Sequence, residues 1–318
     1  MKCRRRIKDL LASTTIHGHF SRGSMSLMLL VICLFAVLIA QLALFLTNQE
    51  FRETIVELRG RQLQELCYSA MDGDEYHNII YGKGILAEVK LEPGGVKGKL
   101  LYDSSRSEDG LLSGLKLQAV SADGVERKMC LNTLELPPTL VDLAASYQLI
   151  YKTDIEGTEY LEDTQIYTSS EEVRVPQVEF LYNVGLDPVN DDKLFKNGFD
   201  SRFYYLKDKA SGRRFRFSGR KTYYGSTVFC CQGDIYMGDN SNFPGRTVFI
   251  ARNGNIELGS NVQLSNAVII ADRSVIIGSG CKIKGVIYGD IIRIRGKSEF
   301  IKDEKIVAHF SSRRFISF

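Results

Sequence analysis

The sequence predicts an α+β protein that is mainly β. One long N-terminal helix begins as a transmembrane span and continues as an amphipathic one. A β-rich middle domain follows, and then a C-terminal three-sided β-helix, or β-solenoid. Two observations carry most of this. The apolar run from Leu27 to Leu46 is twenty residues long, broken only by Gln41, and is long enough to cross a bilayer as a helix. From about Gly225, apolar columns recur at intervals of about twenty residues, as expected where each coil of a solenoid buries its apolar positions on the next.

The segments divide as 1–23, a basic leader; 24–73, the helix; 74–224, a β-rich domain; 225–300, the β-helix; and 301–318, a C-terminal cap. The net charge of +3 is misleading as a whole-chain property. Lys2, Arg4, Arg5, Arg6, Lys8 and Arg22 against Asp9 give the leader +5, so the rest of the chain carries −2. The basic balance therefore belongs to the leader and argues against nucleic acid as a partner. It also orients the span, with the leader cytoplasmic and everything after Leu46 outside. The run lies too deep in the chain, and is too long, for the apolar core of a secretory signal.

Past the span, Phe51, Ile55, Leu58, Leu63, Leu66 and Ala70 continue an apolar stripe on one helix face. Proline is absent there, and Gly60 is a tolerable interruption at roughly 1 kcal/mol. The Asp72-Gly73-Asp74 turn signal ends the helix. Between 74 and 224, alternating segments such as Leu86–Leu91 and Tyr147–Tyr151 are separated by turn clusters, Pro93-Gly94-Gly95 and Asp187-Pro188 among them. Pro137–Ser146 reads as a short helix.

The solenoid rests on three columns. Val228, Val248, Val268 and Val286 head one. Ile235-x-Met237-Gly238, Ile256-x-Leu258-Gly259 and Val275-x-Ile277-Gly278 form a second, with Ile292-x-Ile294 a degraded copy. Val262-x-Leu264 and Cys281-x-Ile283 form the third. The glycines fall between strands, where sharp turns are expected. The tail from Ile301 to Phe318 is expected to cap the open end of the stack, which otherwise presents unpaired strand edges.

The stretch Arg22-Gly23-Ser24-Met25-Ser26-Leu27 through Leu58-Arg59-Gly60-Arg61-Gln62-Leu63 resembles the N-terminal region of PilX-type minor pilins of type IV pili. The solenoid tail also looks like the C-terminal regions of many minor pilins. The resemblance implies cleavage by a prepilin peptidase between Gly23 and Ser24, methylation of the new amine, and storage of the helix in the bacterial inner membrane until it is drawn into a pilus. Its partners would be other pilins and the assembly platform. Major pilins carry a glutamate at the fifth mature position; here that position is Met28. A buried carboxylate needs a partner, so Met28 argues against a bulk filament subunit and leaves the minor role open. The residues at Tyr68–Gly73 are also less alanine-rich than the family pattern.

No enzyme, cofactor or metal site is expected. The only histidines are His17, His19, His77 and His309, none in the coils, where a hexapeptide acyltransferase would need one. Asp234, Glu257, Asp272 and Asp290 read as scattered acids rather than a hydrolytic pair. The loop from Asp187 to Asp192 offers oxygens but lacks calcium-loop spacing. The one candidate ligand surface is basic and aromatic: Arg213, Arg214 and Arg216 interleaved with Phe215 and Phe217, a pattern that could follow a phosphate backbone and stack bases, or simply be a strand with one solvated and one buried face. The odd cysteine count outside leader and span and the lack of CxxC offer no zinc site. Adjacent Cys230 and Cys231 read as small apolar strand residues, with a vicinal disulfide in an oxidising compartment as the alternative. The alternatives to a minor pilin are a permanently anchored envelope scaffold whose β-helix self-associates as in bactofilins, and a membrane-tethered carbohydrate-active β-helix enzyme.

Overall fold

A computed structural model describes residues 22–72, 82–161, 167–183, 186, 188–195, 198, 203–207, 214–302 and 314–317. The chain divides into two units, Met1–Arg59 and Gly60–Phe318. Helix α1 spans Arg22–Asp72. From Leu27 to Thr54 every side chain on it is exposed, and among the described residues it is the one helix long and apolar enough to cross a membrane.

The character of α1 changes after Gly60. Leu63, Cys67 and Ala70, at i, i+4 and i+7, are buried in a core with Leu91, Leu100, Leu117, Met129 and Leu131. That spacing is the one-sided stripe of a helix laid on a sheet. The sheet is an antiparallel meander of β1 (Gly82–Leu91), β2 (Val96–Arg106), β3 (Leu112–Ser121) and β4 (Glu126–Leu134). Alternate residues face the helix: Leu100 and Tyr102 on β2, Leu115, Leu117 and Ala119 on β3, Met129 and Leu131 on β4. Gly60 has a structural reason. A Cβ there would lie 2.3 Å from the Arg127 guanidinium, so glycine lets the exposed end of Arg127 lie across the helix, and a larger residue would displace it.

The solenoid is three-sided and parallel. On the first face, β8 (Phe203–Leu206), β10 (Thr227–Cys231), the end of β12 (Asn242–Ala251), the end of β14 (Gln263–Ala271) and the middle of β16 (Lys282–Ile294) stack in register, with Val228, Val248, Val268 and Val286 aligned. On the second, β9 (Arg214–Phe217), β11 (Asp234–Met237), β13 (Ile256–Leu258), β15 (Ser274–Ile277) and the end of β16 follow one another. The third aligns Phe243, Leu264, Ile283 and Phe300, the last on β17 (Glu299–Ile301). All three columns of the sequence are thus the three faces, and Ile292-x-Ile294 is a regular copy, paired with Val275 and Ile277.

The first face explains the unbroken apolar runs Thr227–Cys231, Thr247–Ala251 and Ala267–Ala271, buried at every position. Phe229, Phe249 and Ile269 point into the coil. Val228, Cys230, Val248, Ile250, Val268 and Ile270 point outward. They meet a second cover built by α2 (Pro138–Ala144), α3 (Glu179–Asn183) and Val173, Val175 and Val178. A parallel sheet covered on both sides reads as continuous rather than alternating hydrophobicity.

The corners correct one expectation. Gly238, Gly259 and Gly278 carry no left-handed backbone. They are glycines because a Cβ would lie 2.3, 2.2 and 2.6 Å from atoms of the neighbouring coil. The left-handed residue comes two positions later, in the stacked column Arg220, Asn240, Asn261 and Gly280, with φ of 57, 58, 58 and 71°. Asparagine tolerates that conformation, and Asn261 Nδ2 donates to Asn240 Oδ1 at 3.3 Å.

Two segment boundaries also differ from expectation. The parallel stack does not begin at Gly225: β8 and β9 are complete rungs, and β7 (Pro188–Val189) adds a partial one before them. Nor is its other end covered by the described part of the tail. That role falls to β5 (Leu149–Glu156), which lies parallel to β16 and is itself followed by β6 (Tyr167–Ser169). The described tail strand, β18 (Arg314–Ser317), instead extends the meander beside β4. Terminal rungs must hide strand edges and plug an apolar bore, so they depart from the repeat.

Candidate functional site

The basic strand predicted as a ligand surface is divided by the fold. Phe215 and Phe217 are interior residues of β9, packed with Phe195 and Phe229, and no base could reach them. Their partners in the alternation point outward. The Arg214 and Arg216 guanidinium carbons lie 4.8 and 4.9 Å from the Tyr236 ring centroid, and Arg214 Nη2 is 3.1 Å from Glu257 Oε2. Glu257 also accepts from Arg295 at 3.2 Å. The solvated-face reading of the strand therefore describes it: the cations cap an aromatic ring and are partly neutralised by a carboxylate two rungs on. Arg213 lies outside the described residues.

The acidic loop serves the start of the solenoid. Asp192, 6% exposed, opens a short 3-10 turn, Asp192–Phe195. Its Oδ2 accepts from the Tyr223 hydroxyl at 2.6 Å, the Ser218 backbone N–H at 2.8 Å and Lys221 Nζ at 3.2 Å. Burial alone would raise its pKa, but these donors outweigh burial and hold it at about 2. The Tyr223 phenol is pushed up by burial and by that carboxylate. The turn drives Phe195 into the bore, stacked on Phe217 at 6.0 Å and edge-on to Phe229 at 5.4 Å. Asp187 is outside the described residues, and among those described no group of three or more His, Cys, Asp or Glu side chains could hold a metal ion.

Among the described residues, Cys33, Cys67, Cys130, Cys230, Cys231 and Cys281 form no disulfide with one another. Cys230 faces the outer cover and Cys231 the bore, and burial raises the Cys230 thiol pKa. Gly23 and Ser24 fall in the first turn of α1, and Met28 is exposed on its surface. His17, His19, His77 and His309 lie outside the described residues.

A site that residue-by-residue reading missed lies at one corner of the coils. Arg252, Asp272 and Asp290 directly follow the first-face strands of successive coils, and Lys152 holds the corresponding place after the first-face part of β5. With Glu171, Arg174 and Gln177 from the covering segment they line a polar cleft of about 590 Å³. Arg252 Nη1 bridges Asp272 at 3.1 Å and the Val175 carbonyl at 3.2 Å. Asp272 Oδ2 also accepts from the Asn253 N–H at 2.9 Å, and Thr153 donates to Asp290. Tyr288 forms part of the wall: its ring belongs to the outer apolar cover. Burial, then Asp290 and Asp272, push its phenol up to about 12. Two of the four acids that read as scattered are therefore neighbours. The signal available in sequence was the interval between Arg252, Asp272 and Asp290, which matches the coil repeat.

No model of a known protein family, no curated protein and no solved structure matches the chain.

Proposed function

We propose that the chain is a minor subunit of a type IV pilus-like system. Helix α1 holds it in the bacterial cytoplasmic membrane with the N-terminus inside, and the β domains are displayed outside. The observation that carries this reading is the change of character along one helix. Leu27 to Thr54 are exposed and mostly apolar, suited to lipid or to other apolar helices, whereas Leu63, Cys67 and Ala70 dock on an antiparallel sheet. A helix that anchors with its first half and nucleates a folded head with its second suits a subunit that moves between a membrane and a helical bundle. Gln41, the single polar residue in the span, has apolar neighbours on either side and would hydrogen-bond between helices in such a bundle. Met28 suits a subunit without a partner amine at that position.

The deciding experiment is intact-mass and N-terminal peptide mass spectrometry on protein from its native membrane. A chain beginning at a methylated Ser24 is expected. A chain retaining the leader would end the pilin reading and leave a fixed single-pass anchor.

A further inference from the structure

The corner cleft combines three features that a structural ion-pair cluster does not need. The first is a hydroxyl aimed into the cleft. Tyr288 is 3% exposed and its ring is held in the outer apolar cover, while its hydroxyl has no hydrogen-bond partner among the described residues and opens on the cleft beside Asp272 and Asp290. The second is mixed charge. Arg252, Asp272, Asp290 and Lys152 come from successive coils, so two carboxylates lie between two cations at the inter-strand spacing of about 4.8 Å. The third is rigidity. Each of these groups sits at the corner that follows a first-face segment of the packed stack, and the two carboxylates are held by the Asn253 N–H and the Thr153 hydroxyl.

We propose that this cleft binds a saccharide, a neutral or amino-sugar-bearing oligosaccharide presented to the outer domain. Sugar hydroxyls both donate and accept, so a row of vicinal hydroxyls can satisfy neighbouring carboxylates and cations together, and an amino sugar adds a cation for the acidic excess. A polycationic peptide would meet three cations, Lys152, Arg174 and Arg252, and a polyanion would meet five carboxylates, Glu108, Asp109, Glu171, Asp272 and Asp290. The spare hydroxyl of Tyr288 supplies one further donor or acceptor at the wall. The inference concerns the β domain alone and does not depend on how α1 is processed.

The test uses the full chain in lipid nanodiscs, avoiding sugar-based detergents, on an array of neutral and amino-sugar oligosaccharides, followed by calorimetric titration of the best-retained one. Retention of at least one oligosaccharide is expected, with Tyr288→Phe and Asp290→Asn each weakening it about tenfold, the effect of one lost hydrogen bond. Lys99→Ala, on the distant meander, should leave binding unchanged. Tyr288→Phe removes an unpartnered hydroxyl and keeps the ring, so its melting temperature should match that of the parent, which separates lost binding from lost folding. The proposal is overturned if no oligosaccharide is retained, if retention is indifferent to both substitutions, or if a lysine-rich peptide binds with the same dependence on them.

Discussion

Asp192→Asn tests whether the first turn of the solenoid is held by one buried carboxylate. The carboxylate collects three donors, from Tyr223, Ser218 and Lys221, and its pKa falls from 3.8 to about 2. A fall of that size corresponds to about 2 kcal/mol of folding stability. The sign follows from the lowered pKa: the contribution is fully present above the unfolded value near 4 and disappears as pH falls through the folded value near 2. About half should remain near pH 3 and little near pH 2. Asparagine preserves shape but loses the charge that Lys221 and the Tyr223 hydroxyl meet. The assay is urea unfolding of parent and variant between pH 2 and 7, with hydrogen exchange read at β9–β11 to localise the effect. The variant should be about 2 kcal/mol weaker at pH 7, with the gap closing at the acid end. A gap that is absent at neutral pH, or as large at pH 2 as at pH 7, would refute the reasoning.

Three further outcomes follow from packing. At Gly245 a Cβ would lie 1.6 Å from the Gly225 carbonyl oxygen, so Gly245→Ala should cost about 3–5 kcal/mol; a melting temperature equal to the parent's would contradict the register of those coils. Leu63→Ala should remove about 2–4 kcal/mol from the helix–meander core, seen as faster amide exchange in β2–β4, whereas Leu42→Ala on the exposed apolar stretch should leave that exchange unchanged. At Asn261, with φ of 58°, alanine should cost about 1–2 kcal/mol for the left-handed backbone, and glycine should cost less than alanine in the same denaturation assay; equal losses would place the penalty in the Asn240–Asn261 contact instead.

Much of the fold was legible because it is periodic. The Leu27–Leu46 run and the stripe through Leu63 and Ala70 mark one helix with two environments. The Val228, Val248, Val268 and Val286 column marks a face of a stack, since equal intervals of apolar residues have few other physical explanations. The candidate site was less legible. Phe215 and Phe217 read equally well as base-stacking groups or as a buried strand face, because alternation along a strand is the same pattern in both cases. Only the closure of the coil around Phe195 and Phe229 decides between them. The glycines of the second column were found by their position but misread in cause, because crowding by the next coil leaves no mark on a single coil's sequence.

Local and repetitive features are written into the chain directly: the long helix, the turns, and the three columns of the solenoid depend on residues close together in sequence or at a fixed interval. The tertiary structure alone decided how the stack ends and where its outer surface is covered. Leu149–Glu156 becomes a rung beside β16, more than a hundred residues later in the chain, because an open strand edge and an exposed apolar face must be buried by whatever segment can reach them. The same long-range closure brings Lys152 and Arg174 to Asp272, Asp290 and Tyr288. Contacts of that kind depend on where distant segments meet in space, and neither periodicity nor local propensity records them.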